Sequence, residues 1–207
     1  MRLGAAGHAP ATASTIRKME PENLLNNETM ADPETLKKTF ERNRKAVQLR
    51  PEMGKSTAVT KVRLRDGTTC EVEHKHWKFK VDIGKAEGGN DAGPGPGILE
   101  RGALGSCLAI GYSQQAALAG VPIHRIEVEV ESDVDARGML GIDDRPPGFK
   151  ELRCKVLIES TADENRIREI IERTERHSPV LDDFKRAIPV RRDLTIANPE
   201  SKEELAL

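Results

Sequence analysis

The sequence predicts an α+β domain in which antiparallel strands form walls around one buried helix, and three observations carry this expectation. Residues 102–123 contain no charged side chain. On either side the apolar period drops to two, through Val59, Val62 and Leu64 before it and Ile126, Val128 and Val130 after it, as half-buried strands require. The Asp66-Gly67 pair lies between two such runs and marks a hairpin, which makes those strands antiparallel.

Taken in order, residues 1–32 carry basic and hydroxyl side chains with no acid before Glu20. That has a faint transit-peptide character but no apolar core for a secretory signal. The expectation is an N-terminal extension over 1–54, poorly ordered over 1–32 and helical after it, Met19 and Met30 being alternative starts. Asp32 can cap that helix, Pro33 suits its first turn, and Leu36, Phe40 and Val47 give a thin apolar face that stops before Pro51. One domain is expected over 55–197, and a charged tail over 198–207.

The return arm of the hairpin, TTCEVEHKHWKFKVDI, places Cys70, Val72, His74 and His76 on one face if the strand is unbroken. Two histidines and a thiol suggest a metal pair with a third ligand, yet second-shell support is not visible, so solvated histidines fit better and no metal is expected. GKAEGGNDAGPGPG, residues 84–97, lacks both phosphate-binding glycine patterns and reads as a flexible entrance loop.

The helix itself is read over Pro94–Gly120. Its glycines, alanines, Ser106, Ser113, Gln114 and Gln115 dilute the hydrophobicity below what a bilayer requires, and Pro122 ends the run, so no membrane span is expected. Gly102, Ser106, Ala109, Ser113, Ala116 and Gly120 share one stripe, which admits close approach of a second helix. Leu104, Leu108 and Leu118 form a bulkier stripe. Ala103, Cys107, Ile110, Gln114 and Ala117 form a third, so Cys107 is expected to look into a packed interior. A cysteine there is equally well a small buried hydrophobe.

Beyond the strand through Ile126, GMLGIDDRPPG is a connecting loop. FKELRCKVLIES alternates through Leu152, Cys154, Val156 and Ile158 and puts Cys154 among core side chains. Thr161 or Asp163 can cap a helix with Ile167, Ile170 and Ile171 on its apolar face. Ser178-Pro179 interrupts it, a short turn runs through Phe184, and IPVRRDLTI is expected to close the fold as a strand.

Composition excludes several functions. Thirty-three basic residues balance thirty-four acidic ones, so no nucleic acid or anionic membrane is attracted globally. The three cysteines are widely spaced without a C-x-x-C, which argues against a disulfide scaffold or zinc knuckle and for a reducing cytoplasm. A serine hydrolase fits poorly, because His177 and Ser178 are adjacent and diverge on a helix.

GGNDAGPGPGILERGALGSCLA, with its cysteine eleven residues after Pro96, and HSPVLDDFKRAIPV, in this order of elements, resemble the OsmC/Ohr superfamily of thiol peroxidases over roughly residues 55–196. The resemblance implies an OsmC-like fold, an intertwined homodimer whose central helices pack together inside wrapped sheets. It implies a stress-response antioxidant oxidoreductase, without cofactor, in which Cys107 attacks the hydroperoxide O–O bond and a first-strand arginine, Arg65 or Arg63, activates the thiol. At the family's glutamate position this chain has Gly97, with Glu100 three residues away, and at its resolving-cysteine position it has Ser178.

Two functions follow. One is a thiol-dependent organic hydroperoxide reductase of peroxiredoxin type, using Cys107 as a single reactive cysteine with an external thiol reductant. The other is a non-catalytic homodimer binding a small apolar ligand. Ionisation of Cys107 separates them, because the thiolate is the nucleophile.

Overall fold

The computed structural model describes residues 32–198; the expected extension before Asp32, with its alternative starts, and the tail beyond Asn198 lie outside the described residues. Helix α1, Pro33–Leu49, begins where its composition says it should. The Asp32 carboxylate accepts from the backbone N–H of Glu34 and Thr35, relieving two of the unpaired donors of the first turn. Arg50 caps the other end, next to Pro51.

Strands β1 (Lys61–Asp66), β2 (Thr69–His74) and β3 (Trp77–Val81) form an antiparallel sheet in that order. Gly67, at φ +53°, makes the first turn, as Asp66-Gly67 predicts. The return arm is not one strand: Lys75 adopts φ 52°, so the shared face stops at His74 and His76 falls in a second turn. No glycine, asparagine or proline marks that turn. Val62, Val72 and Phe79 lie opposite one another, as do Leu64, Cys70 and Val81, so one face of the sheet is apolar. The other carries Arg63, Arg65, Glu71, Glu73, Lys78 and Lys80, because side chains alternate along each strand.

The glycine-rich segment that follows is clamped, not flexible. Asp82, 2% exposed, accepts from the hydroxyls of Thr68 and Thr69 and from the backbone N–H of Ile83, Asn90 and Ala92. These bonds hold its carboxyl far below the usual carboxylate range, the two threonine hydroxyls contributing most. A Cβ at Gly93 would stand 2.3 Å from the carbonyl oxygen of Lys80, so only glycine lets the chain pass so close.

Helix α2 spans Pro96–Ala119 and ends at Gly120, φ +65°, in the left-handed conformation favoured after a helix. Strands β4 (Arg125–Asp133) and β5 (Glu151–Glu159) pair antiparallel, with the short helix α3 (Ala136–Met139) between them. Helix α4, Glu164–Arg176, is capped by Asp163, and α5, Pro179–Lys185, by Ser178.

Leu104, Leu108 and Tyr112 of α2 are the buried core, packed over Val128, Val130, Leu152 and Val156 of the β4–β5 sheet. Tyr112, one turn on from Leu108, takes the place that the sequence suggested for Leu118. Its hydroxyl donates to Glu175 at 3.3 Å; burial first, then the charge of Glu175, pushes the phenol well above its ordinary range. Where α4 packs on α2, a Cβ at Gly111 would stand 2.5 Å from Cγ2 of Thr174. That contact lies outside the predicted small-residue stripe, of which Gly102, Ser106 and Gly120 are exposed.

The expected closing strand does not form. Residues 187–198 hold no helix or strand, and Val190 and Ile196 are 92% and 87% exposed. A strand exists only against a neighbour that takes its backbone hydrogen bonds, and neither sheet includes this segment. No described helix is long and apolar enough to cross a membrane.

Candidate active site

Helix α2 directs Cys107 at the junction of α4 and α5. There its Sγ lies 3.3 Å from Oγ of Ser178, a residue only 5% exposed. Ser178 is fixed as the cap of α5: its Oγ accepts from the backbone N–H of Leu181 at 3.3 Å, and Pro179 occupies the first turn. A hydroxyl has one proton and two lone pairs. With one lone pair on Leu181, the proton of Ser178 is free to donate to the sulfur, a bond that strengthens as negative charge gathers there.

Cys107 is half-buried and lines a cleft of about 1050 Å³, not the packed interior expected of it. The cleft is floored by Cys107 and Ile110 of α2 and walled by Leu36, Phe40 and Val47 of α1. The thin apolar face of α1 therefore belongs to the site. Thr174, 3% exposed, also lines it, and its hydroxyl has no hydrogen-bond partner.

Arg63 and Arg65 stand elsewhere in the chain. Arg63 donates to Glu73 at 3.1 Å and Arg65 to Glu71 at 3.0 Å, on the charged face of the β1–β3 sheet. Those bonds hold both glutamates below their ordinary range. The arginines that line the Cys107 cleft are Arg44 and Arg173; sequence reasoning missed both, since nothing in their spacing joins α1 to α4. Gly97 sits in the first turn of α2, and Glu100 is exposed.

The three cysteines are free, and neither Cys70 nor Cys154 lines the cleft. Cys70 is half-buried on the apolar face of its sheet. Cys154 shares a strand face with Leu152 and Val156 but is exposed, which corrects its expected place in the core. Partial desolvation, then the charge of Glu175, pushes its thiol up, which lowers its thiolate fraction. His177 donates through Nδ1 to the carbonyl oxygen of Arg173 at 2.8 Å, which turns its ring to the backbone rather than to Ser178. His74 Nδ1 bonds the carbonyl oxygen of Val59, and no group of three or more potential ligands among the described residues is arranged to hold a metal ion.

Residues 88–192 match the family described as OsmC-like protein. The chain belongs to the OsmC-like protein family. No curated protein matches it in sequence. Its fold is similar to the crystal structure of an OsmC-like protein from Mycoplasma pneumoniae, at 16% identity and TM-score 0.55, over 63% of this chain and 88% of that one. A hypothetical protein from Aquifex aeolicus is similar at 14% identity and TM-score 0.52, over 63% and 89%. An organic hydroperoxide resistance protein from Elizabethkingia anophelis also aligns, at 17% identity and TM-score 0.47, over 62% and 89%. The OsmC-like match contains Cys107, Thr174 and Ser178; helix α1, with Arg44, lies outside it.

Proposed function

We propose that this OsmC-like protein reduces organic hydroperoxides with Cys107 as its one reactive cysteine. The observation that carries the reading is the Cys107–Ser178 contact at the floor of an apolar cleft. The Cys107 thiolate attacks the terminal oxygen of the hydroperoxide and the O–O bond breaks. The sulfur is oxidised to a sulfenic acid, and the alkoxide leaves as an alcohol once protonated. Ser178 holds the sulfur's charge before attack. An external thiol then condenses with the sulfenic acid, releasing water, and a second thiol reduces the mixed disulfide.

Within one chain the activating role falls to Ser178. Arg63 and Arg65 reach Cys107 only if a partner's sheet carries them there. A homodimer is part of the proposal, because Val62, Leu64 and Phe79 on the apolar face of β1–β3 are exposed, Leu64 at 67%, and the alternating Ile188, Val190, Leu194 and Ile196 have no strand beside them among the described residues. Sedimentation should find a dimer at micromolar concentration. Ala109→Leu should shift it to monomer if the α2 helices meet along the small stripe. A wild-type protein that sediments as a folded monomer overturns this.

The apolar walls equally suit the second reading, a non-catalytic binder of a small apolar ligand. Brief treatment with an organic hydroperoxide and mass spectrometry of each cysteine decides between them. Cys107 should be oxidised at least about tenfold faster than Cys70 or Cys154, reflecting access and thiolate stabilisation. Equal rates at all three would leave the ligand-binding reading as the better account.

A further inference from the structure

We infer that the Cys107 cleft ends in an anion subsite, formed by Arg44 of α1 and Arg173 of α4, that takes the carboxylate of an elongated apolar molecule lying beside Cys107. The inference deepens the reading of this cleft as the ligand site, but it concerns binding alone and needs no oxidation step.

The larger cleft continues into a second of about 470 Å³, and Phe40, Arg44, Gln115 and Arg173 line both. Arg166 and Arg176 join them in the second. The carboxylates there are Glu41 and Glu169, and Glu169 is engaged by Arg166 at 2.8 Å. Among the described residues Arg44, Arg173 and Arg176 have no ion pair. Cations borne by two different helices and lining one cleft repel each other unless an anion stands between them, and a guanidinium fork matches a carboxylate in both charge and geometry.

The rest of the cleft asks for the opposite chemistry. Leu36, Phe40, Val47 and Ile110 give the cleft that holds both the arginines and Cys107 an apolar lining, which favours a hydrocarbon body through burial. Charge at one end and an apolar body along the cleft describe an anionic amphiphile.

The test uses the full chain and three probes in titration calorimetry: dodecanoate, dodecanol and acetate. Dodecanoate should bind at least about tenfold more tightly than dodecanol, as one charged hydrogen-bonded pair predicts. Acetate should not displace it, since the head alone lacks the apolar contact. Arg44→Gln combined with Arg173→Gln should abolish the preference while dodecanol binding and the circular dichroism spectrum stay unchanged; should that pair fail to fold, each single variant should lose part of it. Equal affinity for the two long probes, no binding of dodecanoate, or an intact preference in the variants overturns the inference. A failed peroxidase assay with these results intact would refute the proposed reaction only.

Discussion

Ser178→Cys is expected to convert the oxidised state of Cys107 from an open sulfenic acid into an intramolecular disulfide. The Oγ it replaces is 3.3 Å from Cys107 Sγ, and a thiol reaches further than a hydroxyl toward the ~2 Å length of an S–S bond. The introduced thiol attacks the sulfenic sulfur and water leaves. Because a group held beside its target acts at an effective concentration far above that of millimolar external thiol, over-oxidation should fall by roughly 100-fold. Some stability is lost with the cap on Leu181, about 0.5–2 kcal/mol, which is a melting shift of a few degrees. Non-reducing peptide mapping after hydroperoxide treatment reads the outcome. Over-oxidation equal to that of the natural protein would mean that residues 107 and 178 do not face each other in solution.

Gly111→Ala is expected to destabilise the chain although alanine is the better helix former. Helix propensity favours the change by at most about 1 kcal/mol. Against it stands the Cβ, which would meet the Thr174 methyl at 2.5 Å, and a contact of that kind inside a packed seam costs about 1–3 kcal/mol. Thr174 is buried, so the clash should win and the denaturation midpoint should fall. Because α4 leads directly into Ser178, separating α4 from α2 should also slow Cys107 oxidation. Thr174→Ser removes the offending methyl, so the double variant should recover most of both losses. Recovery of neither would place the strain elsewhere along the helix pair.

Much of this was legible in the sequence because it depends on local chemistry. The Asp32 and Asp163 caps, the Asp66-Gly67 turn, the stop before Pro51 and the period-two runs of β4 and β5 each follow from a few neighbouring residues. Cys107 and Ser178, which the fold brings to 3.3 Å of each other, were both singled out in the sequence by the resemblance to the family. What was not legible depends on long-range geometry. Lys75 turns the chain with no residue that announces it, and the glycines before Pro96 look like freedom until Asp82 gathers its donors. Cys154 alternates correctly with its neighbours yet is left exposed. The role of α1 was hidden for the same reason. Leu36, Phe40 and Val47 signal an apolar face, but only packing brings that face, and Arg44 with it, over Cys107.

The Asp82 knot bears on more than its own loop. It ties the hairpin turn at Thr68 and Thr69 to Asn90 and Ala92, and the backbone N–H of Asp82 itself donates to the carbonyl oxygen of Pro94, two residues before α2 begins. The three-stranded sheet is thus carried as a rigid arm on the helix that bears Cys107. The entropy of aligning that arm is lost once, when the chain folds, and is not charged again when a surface docks onto its open apolar face. A surface that docked at Val62, Leu64 and Phe79 would meet a preorganised arm, and the glycine-rich segment that looked like a hinge is what withholds the hinge.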